Sequence, residues 1–426
     1  MGIRGWAPAL VLSLAVAGCD SGTPFELDEN AGGPRGPDFT VEFADPALED
    51  AVRAALELPD GAVSHHQLEE LTSLSVFRAG VSDLTGLEHA DNLQDLSLPN
   101  NEITDLSPLR GLEHLRNLEL FDNPVSDPSG LSGLNSLRYL NLARTEMSDL
   151  SGLAGLPGLE RLVLGGNRVE SLVPLRALGN LEVLLLNDNR ISLLGPLTAL
   201  TKLTTLALRG NDIDDIGALS GLHRLESLEL DGNRIEDLAP LSEMTNLWRL
   251  SLGDNAVSDL RPLEGLEGLE RLWIGDNEIE DLGPLAEATR LELVWLEGNR
   301  IADLSPLVEL GRIERLRLGY NDISDLSPLG DLTGLRYVGL QGNRISDLSP
   351  LGRIADLSIL ELGDNDISDL SALLESVGIG VNSRVELEGN PLGQKALCEQ
   401  VPALQSKGVN VFVDGSCAEN AAGSGA

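Results

Sequence analysis

Lysine is nearly missing from this chain. Only Lys202, Lys395 and Lys407 occur among 30 bases, and those bases face 68 acids. The formal net charge of −38 excludes nucleic acid as a partner, because a polyanion is repelled rather than held by counterion release. Aromatics make up 3% of the residues, so any place where they gather is informative. Catalytic signals are missing too: no G-x-S-x-G, phosphate-binding loop or H-E-x-x-H occurs, and no set of acid, base and nucleophile can be assembled. The sequence therefore predicts no enzyme and no cofactor. Five histidines (His65, His66, His89, His114, His223) lack zinc-ligand spacing and a nearby cysteine, so no metal site is expected, and His65–His66 reads as solvated surface. Cysteine is confined to Cys19, Cys398 and Cys417. The N-terminal apolar run, Gly5 to Ala17, is too short to span a bilayer comfortably.

What is present is a ruler. Asparagine stands at 101, 123, 167, 189, 211, 233, 255, 277, 299, 321, 343 and 365, always 22 residues apart or a multiple of it, and only Thr145 breaks the series. Around each the chain reads L-x-x-L-x-L-x-x-N-x-I-x-D-L-x-P-L, as from Leu93 to Leu109. A fixed period of this length means stacked coils, each touching only its neighbours. The L-x-L core has strand spacing, so stacked units form a parallel sheet with neighbours about 4.8 Å apart. Each coil buries about seven apolar side chains at roughly 2 kcal/mol each. Ordering its residues costs about 1–2 kcal/mol apiece, so a coil folds only between neighbours. The same regularity excludes acidic disorder as the meaning of the charge.

Each Asn amide offers donors and an acceptor to backbone groups left unpaired at the turn, and stacked Asn side chains are expected to form a ladder. Thr145 fills that role in part, which predicts a local weak point. The recurring Asp (Asp105, Asp127, Asp149, Asp215, Asp237, Asp259, Asp281, Asp303, Asp325, Asp347, Asp369) is expected to cap the short turn that follows. Calcium is the other reading, but one Asp per coil falls short of the six to eight oxygens calcium takes. Proline at Pro108, Pro240, Pro262 and Pro284 stops that turn from becoming a longer helix.

The ends differ from the middle. Residues 1–18 read as a signal peptide and 19–42 as a flexible tether. A helical N-terminal cap is expected over 43–70, with Asp45 as N-cap, Pro46 in the first turn, and Leu48, Val52, Ala55 and Leu56 on one face. A second short helix starts at Ser64 with Gln67 in capping-box spacing. About fifteen repeats occupy 71–390, a C-terminal cap 391–417 and a frayed tail 418–426. Within that cap Lys395 to Gln405 reads as helical, with Pro402 as a kink or stop, and Val409, Val411 and Val413 alternate as in a last strand. The preferred reading of Cys398 and Cys417 is a disulfide pinning this cap; two free buried thiols are the alternative.

Two resemblances follow from these residues. L-A-V-A-G-C (Leu14 to Cys19) resembles the bacterial lipoprotein box, which implies lipid attachment at Cys19 and a place in the bacterial cell envelope, periplasmic or surface-exposed. An ordinary signal peptide with an incidental Cys19 is the alternative. The unit N-x-I-x-D-L-x-P-L-x-x-L resembles the leucine-rich repeats of bacterial internalins and of the related phosphatase-regulator class, and Phe43 to Leu56 resembles the start of an internalin-type cap. The resemblance covers about residues 43–415. It implies an α/β fold: a right-handed solenoid with a curved parallel sheet on its concave face, 3-10 or irregular turns on its convex face, and a protein partner on the sheet. No immunoglobulin-like module or wall anchor follows the repeats, so invasion of host cells is not inferred.

Strand residues between and after the leucines are free of folding duties. Tyr139, Tyr320 and Tyr337 lie there, with Trp273 and Trp295 in one column of adjacent repeats, beside Arg249, Arg271, Leu293, Arg315 and Arg317. Trp and Arg are the residue types most common at interaction hot spots. The patch reads as locally basic, interrupted by Asp254, Asp276 and Glu297, and suits a partner with carboxylates and an apolar segment. Trp248 reads as a packing residue, and Phe77 with Phe121 as a smaller second surface. The expectation is a monomeric, lipid-tethered protein that binds a protein ligand through this face. A glycan- or wall-binding protein and a structural envelope component are the alternatives.

Overall fold

The computed structural model describes residues 37–59 and 61–417. The signal peptide, Cys19, most of the tether and the tail lie outside the described residues. Residues 37–39 belong to an N-terminal unit and carry no regular element; everything from Thr40 onward belongs to the second unit.

The second unit opens with β1 (Thr40–Val41), α1 (Pro46–Ala55), β2 (Val63–Ser64) and α2 (His65–Leu68). The sequence does not disclose that β1 pairs antiparallel with β2, which starts the cap at Thr40 rather than at residue 43. Asp45 caps α1, accepting from the amides of Ala47 and Leu48, and Pro46 stands in the first turn. Its second oxygen accepts from the Ser82 amide at 2.8 Å, tying the cap to the first coil. Burial opposes ionisation of Asp45, but the amides of Ser82, Leu48 and Ala47 outweigh it and hold the carboxyl below its usual range. Leu48 and Val52 are buried as expected, whereas Ala55 is exposed. The helix ends at Ala55, and Ala47 and Ala51 complete the apolar face instead. The capping box of α2 is complete, with Ser64 and Gln67 bonding reciprocally.

Sixteen strands of three residues follow, β3 (Ser73–Ser75) to β18 (Asn410–Phe412), in one parallel sheet whose order is the order of the chain. Register is in phase throughout: Leu228 opposes Leu206 on one side and Leu250 on the other. The middle residue of each strand points inward and is buried, apart from half-buried Val411 at the last edge. On the opposite side of each coil runs a short 3-10 turn, such as Ser107–Leu109 and Ser305–Leu307, with Pro in its first turn. Where an Asp precedes the turn it caps it, as the Ser107 amide donates to Asp105 at 2.8 Å and the Ser305 amide to Asp303 at 2.8 Å; the turns at Val173–Ala177 and Gly195–Ala199 have Ser171 and Leu193 there instead. These bonds hold both carboxyls below their usual range.

The Asn ladder differs from the expectation in its wiring. The side chains bond backbone, not one another. Asn299 donates to the carbonyls of Leu296 in its own coil and Ile274 in the coil before, both at 3.0 Å, and accepts from the Ile279 amide at 3.0 Å. A carboxamide reaches both coils at once because it carries two donors and an acceptor on one planar group. The Thr145 hydroxyl donates to Leu142 O at 2.8 Å but makes no bond to the preceding coil. There the Val125 amide turns instead to Asn123 O.

After Asn365 the period lengthens: the next ladder Asn is Asn390, and α3 (Ser371–Glu375) occupies the insertion. The cap helix runs through Pro402 without breaking. A wide π turn over Ala396–Gln400 passes into α4 (Val401–Ser406), and Pro402 falls in the first turn, where its missing N–H is harmless. A disulfide joins Cys398 to Cys417 with Cα atoms 4.7 Å apart, anchoring the segment after β18 to the π turn. Cap elements cover both sheet edges: α1 packs on β3 and α4 on β18.

Candidate functional site

Because the sheet is in phase, residues one period apart become nearest neighbours. Outward positions of the strands therefore form two continuous columns. One holds Arg249, Arg271, Leu293, Arg315 and Tyr337; the other holds Ser251, Trp273, Trp295, Arg317 and Gly339. Eight of the nine residues predicted to bind a partner lie in these columns.

Trp273 and Trp295 are half-buried and meet edge to face, with ring centroids 5.9 Å apart and planes at 82°. Such a pair contributes about 0.5–1.5 kcal/mol beyond its area. The Arg249 guanidinium lies 5.1 Å from the Trp273 centroid, and that of Arg317 lies 4.4 Å from Trp295 and 5.3 Å from Tyr337. Five side chains from five adjacent coils thus hold one another in place before any partner arrives. Trp248 is half-exposed rather than packed away, and the Arg271 guanidinium sits 5.5 Å from its ring.

The basic reading of the patch gives way. Arg249 pairs with Glu229 at 2.8 Å and Arg317 with Glu297 at 3.8 Å. Both partners lie 20 residues upstream, on the diagonal of the adjacent coil, a spacing that the sequence holds but that reading straight columns passes over. Arg271 and Arg315 remain exposed, flanking Leu293 in a shallow cleft with Glu292 and Glu314. Glu297 is half-buried, and burial raises its carboxyl pKa. Burial likewise raises the Tyr337 phenol, helped by the Glu361 carboxylate beside it.

Tyr320 is the exception among the predicted residues. It lies outside the two strand columns, in the turn before Asn321, with φ 56° and 60% exposure. Equivalent turn positions hold Gly, Asp or Asn in most coils, the residues that tolerate a left-handed backbone. A methyl group on Gly342 would come within 2.5 Å of the Tyr320 ring, so that glycine is what lets the ring lie over the next coil. Tyr139 stands apart from the patch, its hydroxyl donating to Glu119 at 3.1 Å, with the phenol pushed up to about 12 by burial and by Glu119. Phe77 is 65% exposed and Phe121 half-buried, two coils apart near the first coil.

In the cap, His65, His66 and Glu69 bring ligand atoms within 4.8 Å of one another, which their spacing did not announce. His65 Nδ1 lies 3.9 Å from Glu69 and its Nε2 3.8 Å from Asp91, an imidazole between two carboxylates. A tetrahedral zinc draws its ligand atoms to about 3.4 Å of one another, closer than the 3.9 Å between His65 and Glu69.

Comparison with known proteins agrees with this geometry. A profile of leucine-rich repeats in two copies matches residues 91–133, 179–221, 201–243, 245–287 and 311–353. Among solved structures, an internalin of Listeria monocytogenes is 33% identical, with a TM-score of 0.73 over 77% of this chain and 96% of its own. A leucine-rich repeat protein of Leptospira interrogans shares the fold at 23% identity and TM-score 0.70, over 82% of this chain and 97% of its own. A plant peptide hormone receptor, RGFR1, solved in complex with RGF2, shares it at 17% identity and TM-score 0.54, over 78% of this chain and 65% of its own. No curated protein sequence matches the chain. Among the described residues no helix is long and apolar enough to cross a membrane. The 22-residue coil, the Asn–backbone ladder, the capped sheet and the likeness to the Listeria protein together place the chain in the internalin-like family of bacterial leucine-rich repeat proteins.

Proposed function

We propose that this chain is an exported, lipid-anchored protein of the bacterial cell envelope that acts as a monomer and holds a protein partner on its concave sheet around Trp273 and Trp295, with no catalytic step of its own. The observation that carries the reading is the Trp pair between Arg249 and Arg317. These side chains have no part in closing a coil, yet they are locked against one another. Fixing aromatic anchors in advance lowers the entropy a partner must surrender. The RGFR1–RGF2 complex supports the reading by showing a peptide partner on the same kind of fold. Glycan stacking is the weaker alternative, because guanidinium groups already lie over both indoles.

Replacing Trp273 and Trp295 together with Ala tests the reading. Both are half-exposed, so the fold persists by circular dichroism while capture of the partner from envelope extracts falls at least tenfold. Undiminished capture refutes the docking face, and it leaves a structural envelope role. The anchor is tested separately: Cys19→Ser releases the protein from the membrane fraction and abolishes its labelling by radioactive palmitate. Retention of both refutes lipidation at that residue.

A further inference from the structure

Buried polar atoms are paired in the great majority of cases, and an orphan costs about 1–3 kcal/mol. Four such orphans fall on one stretch of this sheet: Arg249 Nε, Glu297 Oε2, Tyr337 Oη and Gln341 Oε1. Glu297 Oε2 and Gln341 Oε1 can only accept a hydrogen bond, whereas the Tyr337 phenol faces the Glu361 carboxylate and can donate toward it. Gly339 lies on the strand of Tyr337 and beside Gln341. It is the one glycine in the outward columns of β3 to β18, where glycine weakens a strand by about 0.5–1 kcal/mol and marks close approach of another molecule. A methyl group on Gly339 would sit 3.2 Å from Glu361 Oε2, 3.3 Å from Gln341 Oε1 and 3.6 Å from Arg317 Cγ. Gly339 is itself buried, so two oxygens close over the cradle its missing side chain leaves, and an occupant enters by parting them.

The charges around the cradle fix what it takes. Glu361 and Asp276 both press on Glu297, and the single cation Arg317 already serves Glu297 and two aromatic rings. One more cation with several N–H donors relieves the repulsion and pairs the orphans. A carboxylate in the cradle would meet Glu297 and Glu361, with Arg317 already engaged. We infer that the Gly339 cradle receives a basic side chain of the partner, lysine or arginine, carried on an extended segment whose apolar side chains rest on Trp295, Trp273 and Leu293. This rests on the docking face proposed above and names the chemistry of its occupant.

The test uses the full chain and two synthetic probes, acetyl-Ala-Leu-Ser-Lys-Ser-Leu-Ala-amide, which in extended form puts Lys and both Leu on one face, and its counterpart with Glu in place of Lys, titrated by calorimetry at 0.15 M salt. The Lys peptide binds and the Glu peptide does not. Because the whole protein is acidic, unspecific attraction must be separated from the cradle. Gly339→Ala and Gln341→Ala do that, since neither alters net charge. Each weakens the Lys peptide about tenfold, with Gly339→Ala unchanged or raised in melting temperature. Equal binding by wild type and Gly339→Ala overturns the cradle, as does preference for the Glu peptide or failure of wild type to bind the Lys peptide. Trp273→Ala distinguishes the two proposals. If it weakens the Lys peptide and Gly339→Ala does not, the docking face stands and the cradle falls. If neither weakens it, both fall.

Discussion

A single carboxamide per coil carries more structural duty than any other polar residue in this molecule. Each Asn in the ladder joins two coils through backbone groups that would otherwise be buried and unpaired. Thr145 shows the consequence of shortening that side chain: Leu142 is satisfied and the preceding coil is not. Thr145→Asn restores a donor toward Leu120 and an acceptor for Val125, and is expected to stabilise the chain by about 1 kcal/mol, read as a rise in denaturant midpoint at unchanged slope. An unchanged midpoint shows that the coil has already absorbed the loss. Tyr320 presents the opposite case, a bulky residue kept at left-handed φ in the column where most other coils use Gly, Asp or Asn. Tyr320→Gly is expected to stabilise by about 1 kcal/mol and to weaken partner capture, the pattern of strain retained for function. A loss of stability without loss of capture assigns the ring to packing on Gly342. Reading columns from the sequence located the Trp pair but misplaced Tyr320, because its counterparts are turn residues rather than strand residues. It also passed over Gly339, whose meaning is an absence of side chain beside Glu361 and Gln341.

The caps and turns are where local sequence rules worked best, because each depends on residues only two or three apart. Asp45, Ser64 with Gln67, and turn-capping residues such as Asp105 and Asp303 all form the bonds that their spacing implies. Antiparallel pairing of β1 with β2 could not be read, since two residues are too few to show alternation and the pairing spans the intervening helix. The same distance problem hid the ion pairs at 20-residue separation. Asp45 joins helix and coil, so Asp45→Ala is expected to cost about 2 kcal/mol at neutral pH. Its folded pKa is depressed, so this contribution is full above the ordinary value of 3.8 and is lost as pH falls through the lower folded value. Wild type and Asp45→Ala should therefore differ in thermal stability at pH 6 and converge toward pH 2. A gap of constant size across that range contradicts the assignment.

At the scale of the whole molecule, two facts pull against each other. Identical coils add their burial in series, and the net charge of −38 repels itself along the stack. Salt screens exposed charges beyond about 10 Å at 0.1 M, so melting temperature should climb as NaCl is raised from 10 to 200 mM at pH 7. A fall over that range means that local ion pairs such as Arg138–Glu160 outweigh the global repulsion. The fold was legible almost in full because its period repeats the same instruction in every coil. The docking surface was legible only as an uneven distribution of residue types. Its polarity depends on which Glu reaches which Arg across coils, and that appears only once the coils are in register.

The most direct measurement of the central claim is photocrosslinking in living cells from two positions in the same outward column, Leu293 inside the patch and Val183 outside it. Both are half-buried strand residues on the same face of the sheet. The account predicts a discrete protein adduct from position 293 and none from position 183. Equal adducts from both positions, or none from either, would contradict it.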